Sequence, residues 1–153
     1  MASDEIYAPI LALARAGAVS RALVAFADAG LDEAINDPKA LTLKGRMLKD
    51  EARKANGDAQ TRLYLRSTKA YADAAALAQD SYPLINAATM SMFAGQTGQM
   101  ESQAKQVMAL LHSGAGAGET PYWHAATKAE ALLLLKKRSE AEAALVDAVK
   151  HAP

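Results

Sequence analysis

Cysteine is absent from the 153 residues. That excludes disulfides, a thiolate metal site and a cysteine nucleophile, and it suits a reducing compartment. Aromatic residues make up only 5% of the chain, with a single tryptophan, so smaller side chains must build the core. An excess of one charge is also missing, since 17 Lys+Arg face 17 Asp+Glu. A general nucleic-acid binder needs a basic field, so no nucleic-acid partner is expected. Unbroken apolar runs are short. The stretch from Ile6 to Phe26 is rich in apolar residues, yet Pro9, Arg15, Gly17, Ser20 and Arg21 interrupt it. A secretory signal has a basic start and an unbroken apolar centre, and a membrane span needs about 20 apolar residues. This stretch offers neither, and the residues before it are acidic. The expectation is a cytoplasmic protein without membrane contact, whose N-terminal stretch forms two short core helices.

What is present points to helices. Hydrophobic residues reach 51% and charged residues 22%, the balance of a folded globular chain. Much of the apolar content is alanine, the best helix former, and its small side chain lets helices approach closely. The length fits one domain covering residues 1–153. The least polar segment runs from Tyr82 to Gly95, with Asn86 as its one sizeable polar side chain. A helix that is apolar on nearly every face must be covered by neighbours. It is expected to start at Pro83 and stop at Gly95.

Helices are predicted on both sides of it. The first covers residues 4–16 with Ser3 as cap, and the second covers 18–29 and ends at Gly30. Asp37-Pro38 is a cap followed by a first-position proline. Gly45 lies inside the helix that follows, at a cost of about 1 kcal/mol against alanine, which close approach of another helix would offset. Asn56-Gly57-Asp58 reads as a turn with Asp58 as the next cap. Residues 49–62 then form a long turn-around. A helix carrying Val107 and Leu111 follows the central one. Thr120-Pro121 opens the seventh helix, which ends near Lys136-Lys137. Ser139 and Glu142 form a capping box for the eighth. Gly114 to Gly118 lacks the Gly-Lys-Ser/Thr of a phosphate loop and has no strand before it, so it reads as a linker. Pro38, Pro83, Pro121 and Pro153 recur about every 32–45 residues, the range of helical-hairpin repeats. The expected architecture is all-α, about four helical hairpins stacked as a short solenoid.

Ala141, Leu145, Ala148 and Pro153 follow the small–large–small–proline spacing of a second repeat helix. Leu41, Gly45 and Leu48 echo a first repeat helix, as do Ala129 and Leu132, and Gly17, Ala22, Phe26 and Ala29 repeat the pattern near the start. In these residues the chain resembles a tetratricopeptide-repeat protein over nearly its whole length. The resemblance implies a right-handed alpha-alpha superhelix with a concave groove that binds protein segments. A narrower likeness lies in Gly45 to Asp50, Ala70-Tyr71, Tyr82 to Ala88 and Ala94-Gly95. These are similar to the repeat region of the apoptosis signal-regulating kinases, often called the TRAF-binding domain, and to related bacterial repeat proteins. No kinase motif is present, so only the regulatory repeat part is implied.

The alignment to that pattern places Lys39, Arg46 and Lys49, then Tyr82, Asn86 and Thr89, then Trp123, Thr127 and Glu130 on the inner wall. The partner expected there is a peptide or protein segment with a carboxylate, held by Arg46 as a two-pronged donor. A chaperone-tail clamp is not expected. Thr42, Arg46, Trp123 and Thr127 stand where that clamp needs lysine, asparagine, lysine and arginine, and only Asn86 fits. Asn86 reads either as a structural amide bonded to a loop carbonyl or as a groove contact. Tyr122 and Trp123 read as packing against the preceding hairpin, and Met90, Met92 and Met108 as core filler. His112, His124 and His151 lack metal-ligand spacing. No nucleophile–base pair or cofactor loop is apparent, so no catalytic residue, metal or cofactor is expected and the protein reads as non-enzymatic. The alternative is a homo-oligomerisation module assembling through the apolar N-terminal hairpin, with Ile6, Tyr7, Ile10, Leu11 and Leu13.

Overall fold

A computed structural model describes residues 4–114 and 119–153. Among these residues the chain forms eight α-helices and no strand. They are α1 (Asp4–Arg15), α2 (Val19–Asp28), α3 (Pro38–Lys54), α4 (Gly57–Ala78), α5 (Ser81–Phe93), α6 (Thr97–Ser113), α7 (Pro121–Leu134) and α8 (Arg138–Lys150). Each odd helix pairs with the even helix after it, and the hairpins stack through α2 on α3, α4 on α5, and α6 on α7. This is the all-α solenoid of four hairpins. The proposed Ser3 cap and residues 115–118 of the glycine-rich stretch lie outside the described residues.

Alanine builds the crossings. Ala22, Ala52, Ala74, Ala87, Ala88, Ala104, Ala131 and Ala141 are fully buried, so backbones come close without large side chains. One close approach is at Gly45. A Cβ there would lie 2.8 Å from the Tyr71 ring, and Ser67 Oγ donates to the Gly45 carbonyl at 2.7 Å. The glycine inside α3 is therefore the seat of an α4 tyrosine. Tyr7 ties α1 to α3: its hydroxyl donates to Asp37 Oδ2 at 2.7 Å. Asp37 Oδ1 meanwhile caps α3 by accepting from Lys39 N at 3.0 Å.

Several helix ends differ from expectation. The long turn-around at 49–62 is built almost wholly from helix. Only Ala55 and Asn56 separate α3 from α4, and the extra residues lengthen both helices. Gly57, at φ +58°, lets the chain reverse, and Gln60 Nε2 caps the Ala52 carbonyl at 2.9 Å. Asp58 therefore lies inside α4. The central helix α5 starts at Ser81, with Asp80 accepting from Tyr82 N. Pro83 lies in its first turn, where a missing N–H costs nothing. The box at Ser139 and Glu142 does not form. Lys136 takes φ +59° and Lys137 N bonds back to the Leu132 carbonyl at 2.8 Å, so α8 starts at Arg138 and Glu142 pairs with Arg138 instead.

Apolar exposure is also distributed differently. In the first hairpin Tyr7 and Ile10 are buried, Leu11 and Leu13 are half-buried, and Ile6 and Val24 remain exposed. The last hairpin is barer, with Leu133, Leu145, Val146 and Val149 exposed. Met90 is core, Met108 is half-buried against the clusters that hold Val107 and Leu132, and Met92 faces outward. No described helix is long and apolar enough to cross a membrane.

Candidate functional site

Residues three and four apart share a helix face. In α3 the positions 42, 46 and 49 form such a stripe, in α5 the positions 82, 86 and 89, and in α7 the positions 123, 127 and 130. The hairpin stack sets these stripes side by side. Lys49 Nζ donates to Asn86 Oδ1 at 3.1 Å and joins α3 to α5. The Thr89 hydroxyl donates to Glu130 Oε1 and joins α5 to α7. Asn86 Nδ2 donates to the Tyr82 carbonyl at 2.9 Å. The amide is thus half-buried in the wall itself and does not reach a loop carbonyl.

Two recesses open at the amino-terminal ends of these helices, and they share Tyr82, Asp80 and Ala78. The first, about 320 Å³, is lined by Tyr7, Lys39, Thr42, Arg46 and Tyr82, among others. The second, about 610 Å³, lies between Tyr82, Glu119, Trp123 and Thr127. Lys39, Arg46, Tyr82, Trp123 and Thr127 therefore border recesses. Lys49, Asn86, Thr89 and Glu130 border neither and form the hydrogen-bonded bridges behind them. A larger recess of about 810 Å³ lies between α4 and α6. Its walls are alanine, leucine, serine and glutamine, with no charge or ring to orient a ligand.

The cations on this wall differ in how they are held. Lys39 is paired with Asp4 and sits 4.7 Å from the Tyr7 ring centroid. That partner holds the Asp4 carboxyl below the usual range. Lys49 is pushed below the usual lysine range by burial first and by neighbouring Arg53 second. Arg46 has no ion pair among the described residues. Burial, then the Asp37 carboxylate, pushes the Tyr7 phenol up. Tyr71 is pushed up by burial, and its hydroxyl is buried without a hydrogen-bond partner among the described residues.

Trp123 corrects the packing expectation. It is 56% exposed, borders the second recess and meets the half-buried Tyr122 edge-on, with ring centroids 5.0 Å apart. Thr120 Oγ1 accepts from Trp123 N and so fixes this first turn of α7. His124 makes the link back to α6, with Nε2 at 3.4 Å from the Leu111 carbonyl. Among the described residues no group of three or more His, Asp or Glu could hold a metal ion.

The model of the family described as Tetratricopeptide Repeats-Sensor matches residues 6–91. That is more than half of the chain. The chain belongs to this family. Neither a curated protein nor a solved structure matches it. The matched part of this repeat-sensor chain carries Lys39, Arg46, Lys49, Tyr82, Asn86 and Thr89. Trp123, Thr127 and Glu130 lie beyond it. Tetratricopeptide-type repeats form protein-interaction surfaces.

Sequence reasoning missed Asp80 and Glu119 as wall residues. Asp80 carried only the signal of a helix start, and Glu119 followed a glycine-rich stretch with no periodicity.

Proposed function

We propose that this chain is an interaction scaffold that holds a peptide or an extended protein segment along the face of α3, α5 and α7. One observation carries this reading: three aligned stripes end in two recesses with Tyr82 between them. Trp, Tyr and Arg are the residue types that dominate interaction energy. Arg46, free of an ion pair among the described residues, supplies a two-pronged donor to a carboxylate of the segment. Tyr82 and Trp123 supply apolar anchors. Lys39, Lys49, Asn86, Thr89, Thr127 and Glu130 hold the wall in shape.

In this reading the protein works by binding and not by catalysis, without cofactor, nucleic acid or membrane. The lack of cysteine and the richness in alanine support a bacterial cytoplasm. The likeness to the kinase repeat region supports a regulatory role. Self-association through the first hairpin is the lesser reading, because Tyr7 and Ile10 are turned inward.

A photo-cross-linker placed at Tyr82, which borders both recesses, tests the groove against one placed at Gln106, which borders the α4–α6 recess. The expected result is protein adducts from the first position only. No adduct from Tyr82, or the same adducts from both, overturns the proposal.

A further inference from the structure

The two recesses beside Tyr82 differ in sign. The first holds Arg46. Among the described residues the second is lined by no lysine, arginine or histidine. Its walls are the rings of Tyr82 and Trp123 and the carboxylates of Asp80 and Glu119. Both carboxylates are held by neutral donors. Asp80 accepts from Tyr82 N at 3.0 Å, and Glu119 accepts from the Ser81 hydroxyl at 2.8 Å. Neither has a cationic partner among the described residues. The amino ends of α5 and α7 also lie here, and each contributes about half a positive charge. Two carboxylates outweigh them and leave about one negative charge in the recess. Low-dielectric walls focus such a field.

We infer that this second recess receives an arginine side chain of the bound segment. The inference rests on the groove reading above and names what the far end of the groove selects. Exposed aromatic faces attract cations, with tryptophan the strongest. A guanidinium is planar and weakly hydrated, stacks on an indole and can donate to a carboxylate through two N–H groups at once. An ammonium is more strongly hydrated and offers no flat face, so lysine fits less well. The bound segment therefore lays an acidic group at Arg46, crosses Tyr82 and seats its arginine against Trp123. The groove reads a charge pair in one direction.

Selection of a random linear-peptide display library on the full chain tests this. Enriched peptides are expected to carry an arginine. A selected peptide should change the fluorescence of Trp123, the one tryptophan of the chain. Replacing its arginine by citrulline, which keeps the shape and loses the charge, should weaken binding about tenfold, or about 1.4 kcal/mol. The double variant Asp80→Asn, Glu119→Gln keeps a capping side chain and should lose the same tenfold for the arginine peptide, with no change for the citrulline form. Equal affinity of the arginine and citrulline peptides overturns the inference, and that arm needs no variant to fold. Enriched peptides without arginine that depend on Arg46 overturn it while the groove reading stands. A library with no enriched peptide overturns both.

Discussion

Gly45 and Arg46 are neighbours on α3, yet one is sealed under Tyr71 and the other stands in a recess without an ion pair among the described residues. One residue turns a helix by about 100°, enough to carry the chain from a tight seam to the wall of a recess. The seam fixes how α3 and α4 lie. The wall inherits its shape from that seam and adds little stability of its own. Stability and recognition should therefore separate under mutation, although they share a helix.

The hardest break of this comparison is in the seam. Tyr71→Ala empties a fully buried ring site and should cost about 3–5 kcal/mol. Gly45→Val forces a side chain into the ring and should cost about 1–3 kcal/mol. Urea unfolding checks both. Loss of less than 1 kcal/mol in each would mean that the seam is looser than the 2.8 Å approach implies.

Asp37 links the first hairpin to the second. Asp37→Ala removes the α3 cap and leaves the Tyr7 hydroxyl without its acceptor, which should cost about 2 kcal/mol by thermal unfolding. A drop no larger than that of Tyr7→Phe would limit the loss to the tyrosine bond.

The pH dependence sharpens the seam further. Tyr7 and Tyr71 hold their protons more tightly when folded, while the unfolded chain releases them near pH 10. Above that pH the unfolded state binds fewer protons, so stability falls, by up to about 1.4 kcal/mol per pH unit for each tyrosine. Lys49 acts in the opposite sense. Its folded value is lowered, so it favours stability as pH rises towards 10.5. Two tyrosines outweigh one lysine, and a net fall is expected above pH 10. Tyr71→Phe should flatten it, and at pH 7 it should raise stability by about 1 kcal/mol by removing a buried hydroxyl without a partner. A loss of stability in Tyr71→Phe would show that the hydroxyl is bonded in solution.

The smallest effect on folding is expected on the wall. Trp123→Ala, at an exposed position, should move stability by about 0.5 kcal/mol or less, and Arg46→Ala, at a half-buried position, by about 1 kcal/mol or less. Each should nonetheless weaken capture of the cross-linked partner severalfold. Equal capture by both variants would put the binding surface elsewhere.

The hairpins were legible because their signals are local. Asp37-Pro38 and Thr120-Pro121 mark helix starts by capping, and Gly17, Gly30 and Gly95 mark ends by their positive φ. Where capping signals competed, reading was poorer. Ser139 lost to the reversal at Lys136, and Asp58 lost to a turn only two residues long. The wall residues were placed by the alignment to the repeat pattern. The recesses were not, because they depend on distances between segments about 40 residues apart.

Composition and periodicity alone determined that this chain forms helices, where most of them stop, and which residues share each face. All of that is governed by contacts within a few residues. Only the tertiary structure decided that Trp123 stands out instead of packing, that Tyr71 rests on Gly45, and that Asp80 and Glu119 border one recess. Those outcomes depend on how closely and at what angle helices dock, which is set by many small contacts summed across the stack and written in no single stretch of sequence.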